Sequence, residues 1–227
     1  MPTRLILLFL TLLLVLGCEE TTADRERILR TPYELGDGNT TATYRELLEF
    51  YRGLAREFPE VNLQTLGQTD SGEPLHLVTY NREGTFNFQK LGAEKAVVLV
   101  LNGIHPGEPD GIDATTLLMR DLATGKVEIP ENVVLASIPV YNVGGALNRN
   151  SGTRANQNGP GSYGFRGNAR NYDLNRDFIK MDTRNARTFA RIFQLVRPLF
   201  WGFSGIQPQA GPCGFPGRKR LGHHPLC

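Results

Sequence analysis

Ala96-Val97-Val98-Leu99-Val100-Leu101 is a run of six apolar residues with no polar interruption. A strand with one wet face alternates polar and apolar side chains, whereas a near-continuous run suits a central strand covered on both faces, as in α/β proteins. Immediately after it come Asn102-Gly103-Ile104-His105-Pro106-Gly107-Glu108. An imidazole and a carboxylate are thereby delivered beyond the carboxyl end of a buried strand, where open α/β sheets tend to place their sites. Catalytic zinc takes three nitrogen or oxygen ligands from the protein plus a water, so His105 and Glu108 make two-thirds of a zinc site. Taken alone, a His-x-x-Glu also occurs by chance in solvated turns.

The neighbouring patterns supply the rest of an α/β unit. Thr43 and Glu46 form a capping-box pair, and Tyr44, Leu47, Leu48, Tyr51, Leu54, Ala55 and Phe58 recur at helical spacing up to Pro59. Val61 to Leu66 and Leu75 to Tyr80, joined by Asp70-Ser71-Gly72-Glu73-Pro74, read as a hairpin. Gly111 to Ala123 reads as a helix and Val133 to Val140 as a strand, and strands alternating with helices define an α/β sheet. From Val143 to Asn171 the chain has no period and is rich in Gly, Asn and Arg; loops of that length are functional or unstructured. It ends in Tyr172-Asp173-Leu174-Asn175-Arg176-Asp177-Phe178, followed by a helix through Phe189, Ile192, Phe193 and Val196 that Pro198 closes.

The amino-terminal residues differ from this pattern. Arg4, the run Leu5 to Leu16 and then Gly17-Cys18 fit a secretory signal, since the run is short for a bilayer span. Val15-Leu16-Gly17-Cys18 resembles a bacterial lipobox, which makes Cys18 the expected lipidation site and the cell envelope the expected location. Residues 19–40, with Pro32, Gly36 and Gly38, read as a tether, 41–198 as the domain and 199–227 as an atypical Gly- and Pro-rich tail. With 25 basic against 23 acidic residues, a net charge of +2 leaves no footprint for nucleic acid, and Arg218-Lys219-Arg220 reads as a solvated cluster. Cys213 and Cys227 are the remaining cysteines, and their spacing demands no disulfide.

Two further elements carry chemistry. The Arg176 guanidinium offers a planar fork to a carboxylate and the Asn175 amide adds a donor; the bland reading is a surface pair with Asp177 or Asp173. Arg166, in Gly164-Phe165-Arg166-Gly167, is a cation that can stabilise charge developing on a carbonyl oxygen.

In order along residues 41 to 198, the helix ending in Glu57-Phe58-Pro59, the Gly67 to Pro74 turn, the His105-to-Glu108 stretch, Ile138-Pro139-Val140-Tyr141-Asn142 and Asp173-Leu174-Asn175-Arg176 resemble the zinc carboxypeptidases of the carboxypeptidase A-like family. The resemblance implies a mixed twisted sheet with helices on both faces. It implies zinc held by His105 and Glu108, with Asp173 orienting His105. Asn175 and Arg176 would grip a substrate's terminal carboxylate, and Arg166 would polarise the scissile carbonyl while a Glu base activates water.

After Pro198 the family pattern implies a strand bearing a third ligand, but Leu199 to Ile206 contain no His. The family's catalytic Glu would fall beyond Cys227. His223 and His224 lie in the Gly- and Pro-rich tail, and His76 lies within a strand. The expectation is therefore a carboxypeptidase-like domain incomplete at its C-terminal end, its reading frame shifted or cut near residue 198, with weak zinc binding and little turnover. A deacylase of acylated amino acids and a non-catalytic binder of carboxylate-terminated peptides are the alternative functions.

Overall fold

The computed structural model describes residues 29–204 apart from 37 and 156. Helices and strands follow in the order α1 (Pro32–Leu35), α2 (Tyr44–Glu57), β1 (Val61–Gln68), β2 (Pro74–Tyr80), α3 (Phe88–Glu94), β3 (Ala96–Asn102), α4 (Asp110–Ala123), β4 (Val133–Ile138), α5 (Val143–Leu147), α6 (Arg184–Val196) and β5 (Phe200–Ser204). The five strands form one mixed sheet ordered β1-β2-β4-β3-β5. β1 and β2 are the expected antiparallel hairpin, and β2 continues antiparallel onto β4. β3 runs parallel to both β4 and β5, so its two edges are paired and its apolar run is interior to the sheet.

α2 packs on α4, and α3 packs on α6, giving two helical layers about the sheet. The periodicity that specifies α2 is the one it buries: Leu47, Leu48, Tyr51 and Leu54 enter the core, while Thr43 and Glu46 close the capping box. Leu99 and Leu101 of β3 meet Val134, Ala136 and Ile138 of β4 in the same core, all nearly inaccessible to water. Burying side chains of this size contributes about 1.5–3 kcal/mol each relative to exposure. That anchorage holds the loop after β3 in place.

Several elements depart from the sequence reading. Within the segment read as a tether, Thr31 caps α1 with Glu34 as its capping-box partner, and Glu34 in turn receives the Arg120 guanidinium at 2.5 Å. Residues 31–36 are thus docked on α4. The 143–171 stretch is non-helical except for α5, five residues whose N-terminus is capped by Asn142. Residues 200–204, assigned to the atypical tail, pair with β3 as β5; the strand that the resemblance implies after Pro198 is present, without the histidine it was expected to carry. Among the described residues no helix is long and apolar enough to cross a membrane. Cys18, Cys213, Cys227, the Arg218-Lys219-Arg220 cluster, His223 and His224 lie outside the described residues.

Candidate metal and carboxylate site

The site begins where β3 ends. Gly103 holds φ at +61°, a left-handed turn that a side chain would strain, and Gly103 O accepts from Asn142 N–H at 3.0 Å. The chain leaving β3 is thereby stitched to the chain leaving β4, and Tyr141 N–H donates to Asn102 O alongside at 2.8 Å. His105 and Glu108 follow on a tight turn, closed by Glu108 N–H donating to His105 O at 2.8 Å. Both side chains are therefore set by backbone bonds at the carboxyl ends of β3 and β4.

His105 is buried, at 7% exposure, and its Nε2 lies 2.8 Å from Asp173 Oδ1. The carboxylate can only accept there, so Nε2–H donates. Nδ1 faces Glu108 Oε1 at 3.5 Å and Arg166 Nη1 at 3.4 Å. An imidazole nitrogen and a carboxylate oxygen thus stand 3.5 Å apart at the end of β3. Two guanidiniums supply positive charge around them: Arg154 Nη2 donates to Glu108 Oε1 at 2.6 Å, and Arg166 Nη2 donates to Asp173 Oδ2 at 2.8 Å.

Burial acts to raise the pKa of both carboxylates, but their partners outweigh it. The His105 ring and the Arg154 guanidinium hold Glu108 below its usual range. His105, Arg166 and the Asn175 N–H pull Asp173 down to about 2. Both are therefore ionised at neutral pH, as metal ligation and ligand orientation require.

Asp173 also caps the single turn Leu174–Arg176 by accepting from Asn175 N–H at 3.0 Å. The same carboxylate thus orients His105 and starts the turn that presents Asn175 and Arg176, both exposed. The bland reading of Arg176 fails. Asp177 turns inward to accept from Thr183 Oγ1 and from the amides of Asp182 and Thr183, and Asp173 is taken by His105 and Arg166. Among the described residues Arg176 has no carboxylate partner, and its Nη1 donates to Asn175 O.

Sequence reasoning missed Arg154. It lies in the aperiodic loop and reaches Glu108 because Gly107 has no side chain: a Cβ there would stand 2.6 Å from Arg154 Nε and 2.7 Å from Gly164 O. It also missed Asn142, fully buried, whose Nδ2 donates to Arg166 O at 2.9 Å while its Oδ1 accepts from Gly145 N–H. The sequence signal for Arg154 was membership of the long Gly-, Asn- and Arg-rich segment, and for Asn142 its place at the end of the Ile138-to-Asn142 motif. His76 is remote from the site; it is buried against the Tyr44 hydroxyl, and burial pushes its ring down to about 4.

The donor set, one imidazole nitrogen and one carboxylate oxygen oriented by a second carboxylate, fits zinc in kind. Among the described residues no group of three His, Cys, Asp or Glu side chains is placed to hold a metal ion, so the set is partial. His76 and the described carboxylates do not complete it.

The mixed α/β sheet thus presents an oriented His and Glu beyond its parallel strands. Residues 47–192 match the zinc carboxypeptidase family profile, and the chain belongs to that family. No curated protein sequence matches it. Among solved structures it is similar to a metallo-carboxypeptidase from Burkholderia cenocepacia, with TM-score 0.55 and 18% identity over 72% of this chain and 40% of that one. It is also similar to carboxypeptidase A from Helicoverpa armigera, with TM-score 0.51 and 18% identity over 73% and 46% of the two chains. A third is the metallo-carboxypeptidase from Pseudomonas aeruginosa in complex with (2-guanidinoethylmercapto)succinic acid, with TM-score 0.50 and 16% identity over 70% and 38%. The chain therefore spans less than half the length of each of these structures, and the likeness is one of fold.

Proposed function

We propose that this chain carries the zinc-ligand and carboxylate-recognition half of a metallocarboxypeptidase, a hydrolase that removes C-terminal residues from peptides. The observation that carries the reading is the convergence of His105 Nδ1 and Glu108 Oε1, held by Asp173, one turn from an Arg176 that has no carboxylate partner among the described residues. His105 and Glu108 would hold the zinc, which when bound polarises a carbonyl and makes water a nucleophile at neutral pH. Asp173 keeps the Nε2 proton and so keeps Nδ1 available. Arg176 and Asn175 bind a free terminal carboxylate by a charge-assisted fork, which restricts the reaction to the chain end. Arg166, beside His105, places a fixed cation near the scissile carbonyl oxygen. The succinate moiety bound in the Pseudomonas structure agrees with a carboxylate-bearing ligand for this class of site.

The described residues supply two zinc ligands, and on that partial set weak zinc binding and little turnover are expected. An exported location, with a lipid on Cys18, follows from the sequence reading. A deacylase acting on acylated amino acids would use the same Arg176 fork, and substrate choice separates the two.

Purified chain should bind peptides with a free C-terminus in preference to their C-terminal amides, and Arg176→Ala should weaken that binding about tenfold or more by calorimetry. Equal binding of acid and amide would remove the basis for the reading. Robust zinc-dependent release of C-terminal residues by the chain would overturn the expected impairment, and release from acyl-amino acids alone would favour the deacylase.

A further inference from the structure

Away from His105, α6 carries a second concentration of positive charge. Its buried face is Phe189, Ile192 and Val196, while Arg184, Arg187 and Arg191 recur at i, i+3 and i+7 on the exposed face. These three line an open cavity of about 260 Å³ together with Gln68 and Thr188. The cavity exists because α6 is tied to the end of β1, where Thr188 Oγ1 donates to Gln68 O at 2.7 Å. None of its lining residues is acidic.

The charges nearby are already committed. Asp70 accepts from the Arg184 backbone N–H at 3.3 Å and from Asn168 Nδ2 at 3.0 Å, with Arg170 at 3.9 Å. Asp177, whose ionised form Arg187 favours, is occupied by Thr183 and the Asp182 N–H. Arg187 Nη1 donates to Met181 O at 3.3 Å. Arg184, Arg187 and Arg191 are all exposed, and the cavity they line brings no carboxylate to them. Like charges at helical spacing repel by a few tenths of a kcal/mol per pair, a cost that a bound anion reverses. Seven residues of helix rise about 10 Å, so the stripe matches a ligand with more than one anionic group rather than a single small ion. Guanidinium forks are suited to the paired oxygens of phosphate.

We propose that the Arg184–Arg187–Arg191 cavity is a binding site for a ligand bearing two or more phosphate-type oxyanions. It is independent of the metal and carboxylate site. The oxyanions come either from a soluble polyphosphate-like molecule or from the headgroups of an anionic lipid surface.

The test uses the whole 227-residue chain in two arms. In the first, calorimetry with inorganic tripolyphosphate compares the chain with Arg187→Ala/Arg191→Ala and with Arg56→Ala, a surface control on α2. In the second, the same proteins are sedimented with phosphatidylglycerol or phosphatidylcholine vesicles. Submillimolar tripolyphosphate binding that weakens at least tenfold in the double variant alone establishes a soluble-ligand site. Selective loss of phosphatidylglycerol binding in that variant establishes a headgroup site. Phenylglyoxal labelling of the unmodified chain gives a readout that needs no variant: tripolyphosphate or phosphatidylglycerol should protect Arg187 and Arg191 and not Arg56. No binding in either arm, binding unchanged by a folded double variant, or uniform protection of all three arginines would overturn the proposal.

Discussion

Asp113 provides a quantitative check on how the domain is assembled, because a carboxyl group has been placed where water does not reach. It lies in the first turns of α4 at 9% exposure, and its Oδ1 accepts from the Thr41 hydroxyl at 3.0 Å. Burial, with Asp110 adding to it, raises its pKa from 3.8 to about 7, against the opposing pull of Thr41, the Ala42 amide and Arg149. The folded chain thus keeps this proton to near-neutral pH, whereas the unfolded chain loses it near pH 4. The stabilising contribution is complete below the unfolded value and is lost as pH rises through the folded one. At about 1.36 kcal/mol per pKa unit the full loss is about 4 kcal/mol, of which about 2.5 kcal/mol falls between pH 5 and pH 8. Asp113→Asn removes the titration and keeps the shape. Urea denaturation followed by Trp201 fluorescence at several pH values should give a wild-type curve that declines relative to the variant by that amount. Taking the difference between the two proteins cancels the opposite trend of Glu108, Asp173 and Asp177, whose lowered pKa values contribute stability that is lost on acidification. A difference curve flat to within about 0.5 kcal/mol across this range would refute the account of Asp113 as a buried, protonated acid.

Asp173→Ala should weaken zinc binding by about 10- to 100-fold in chelator competition, since the ring of His105 then loses the acceptor that fixes its tautomer and direction. Unchanged affinity would mean that Asp173 does not orient the ligand. If Cys18 is the lipid-bearing residue, Cys18→Ser should move the exported chain from the membrane fraction to the soluble fraction; equal partitioning of both proteins would dismiss the anchor.

Where a local rule decides the structure, the sequence was readable. The capping box at Thr43 and Glu46, the heptad-like apolar face of α2, the turn residues between β1 and β2 and the unbroken apolar run of β3 each act within a few residues, so pattern and structure coincide. His105, Glu108, Asp173 and Arg166 were also identified, and the structure brings all four together. What had no local signature was missed. Arg154 reaches Glu108 across 46 residues, and the path that delivers it is set by close backbone approach at Gly107 and Gly164, not by any period. α1 lies in a polar segment whose only strong cue, Thr31 with Glu34, was hidden by the surrounding Pro and Gly. β5 is five residues long and half-exposed, and it becomes a strand because β3 offers it an edge.

The chain by itself therefore determined α2, the β1–β2 hairpin and β3 and the kinds of side chain available for chemistry, because hydrophobic period, capping and turn preference are short-range. Only the tertiary structure decided which charges meet. It turned Asp177 inward to Thr183, spent Asp173 on His105 and Arg166, and left Arg176 without a carboxylate among the described residues. It also gathered Arg184, Arg187 and Arg191 around a cavity at the end of β1. Ion pairing depends on distances of a few ångströms between residues far apart in the chain, and those distances are set by how the sheet and its loops close.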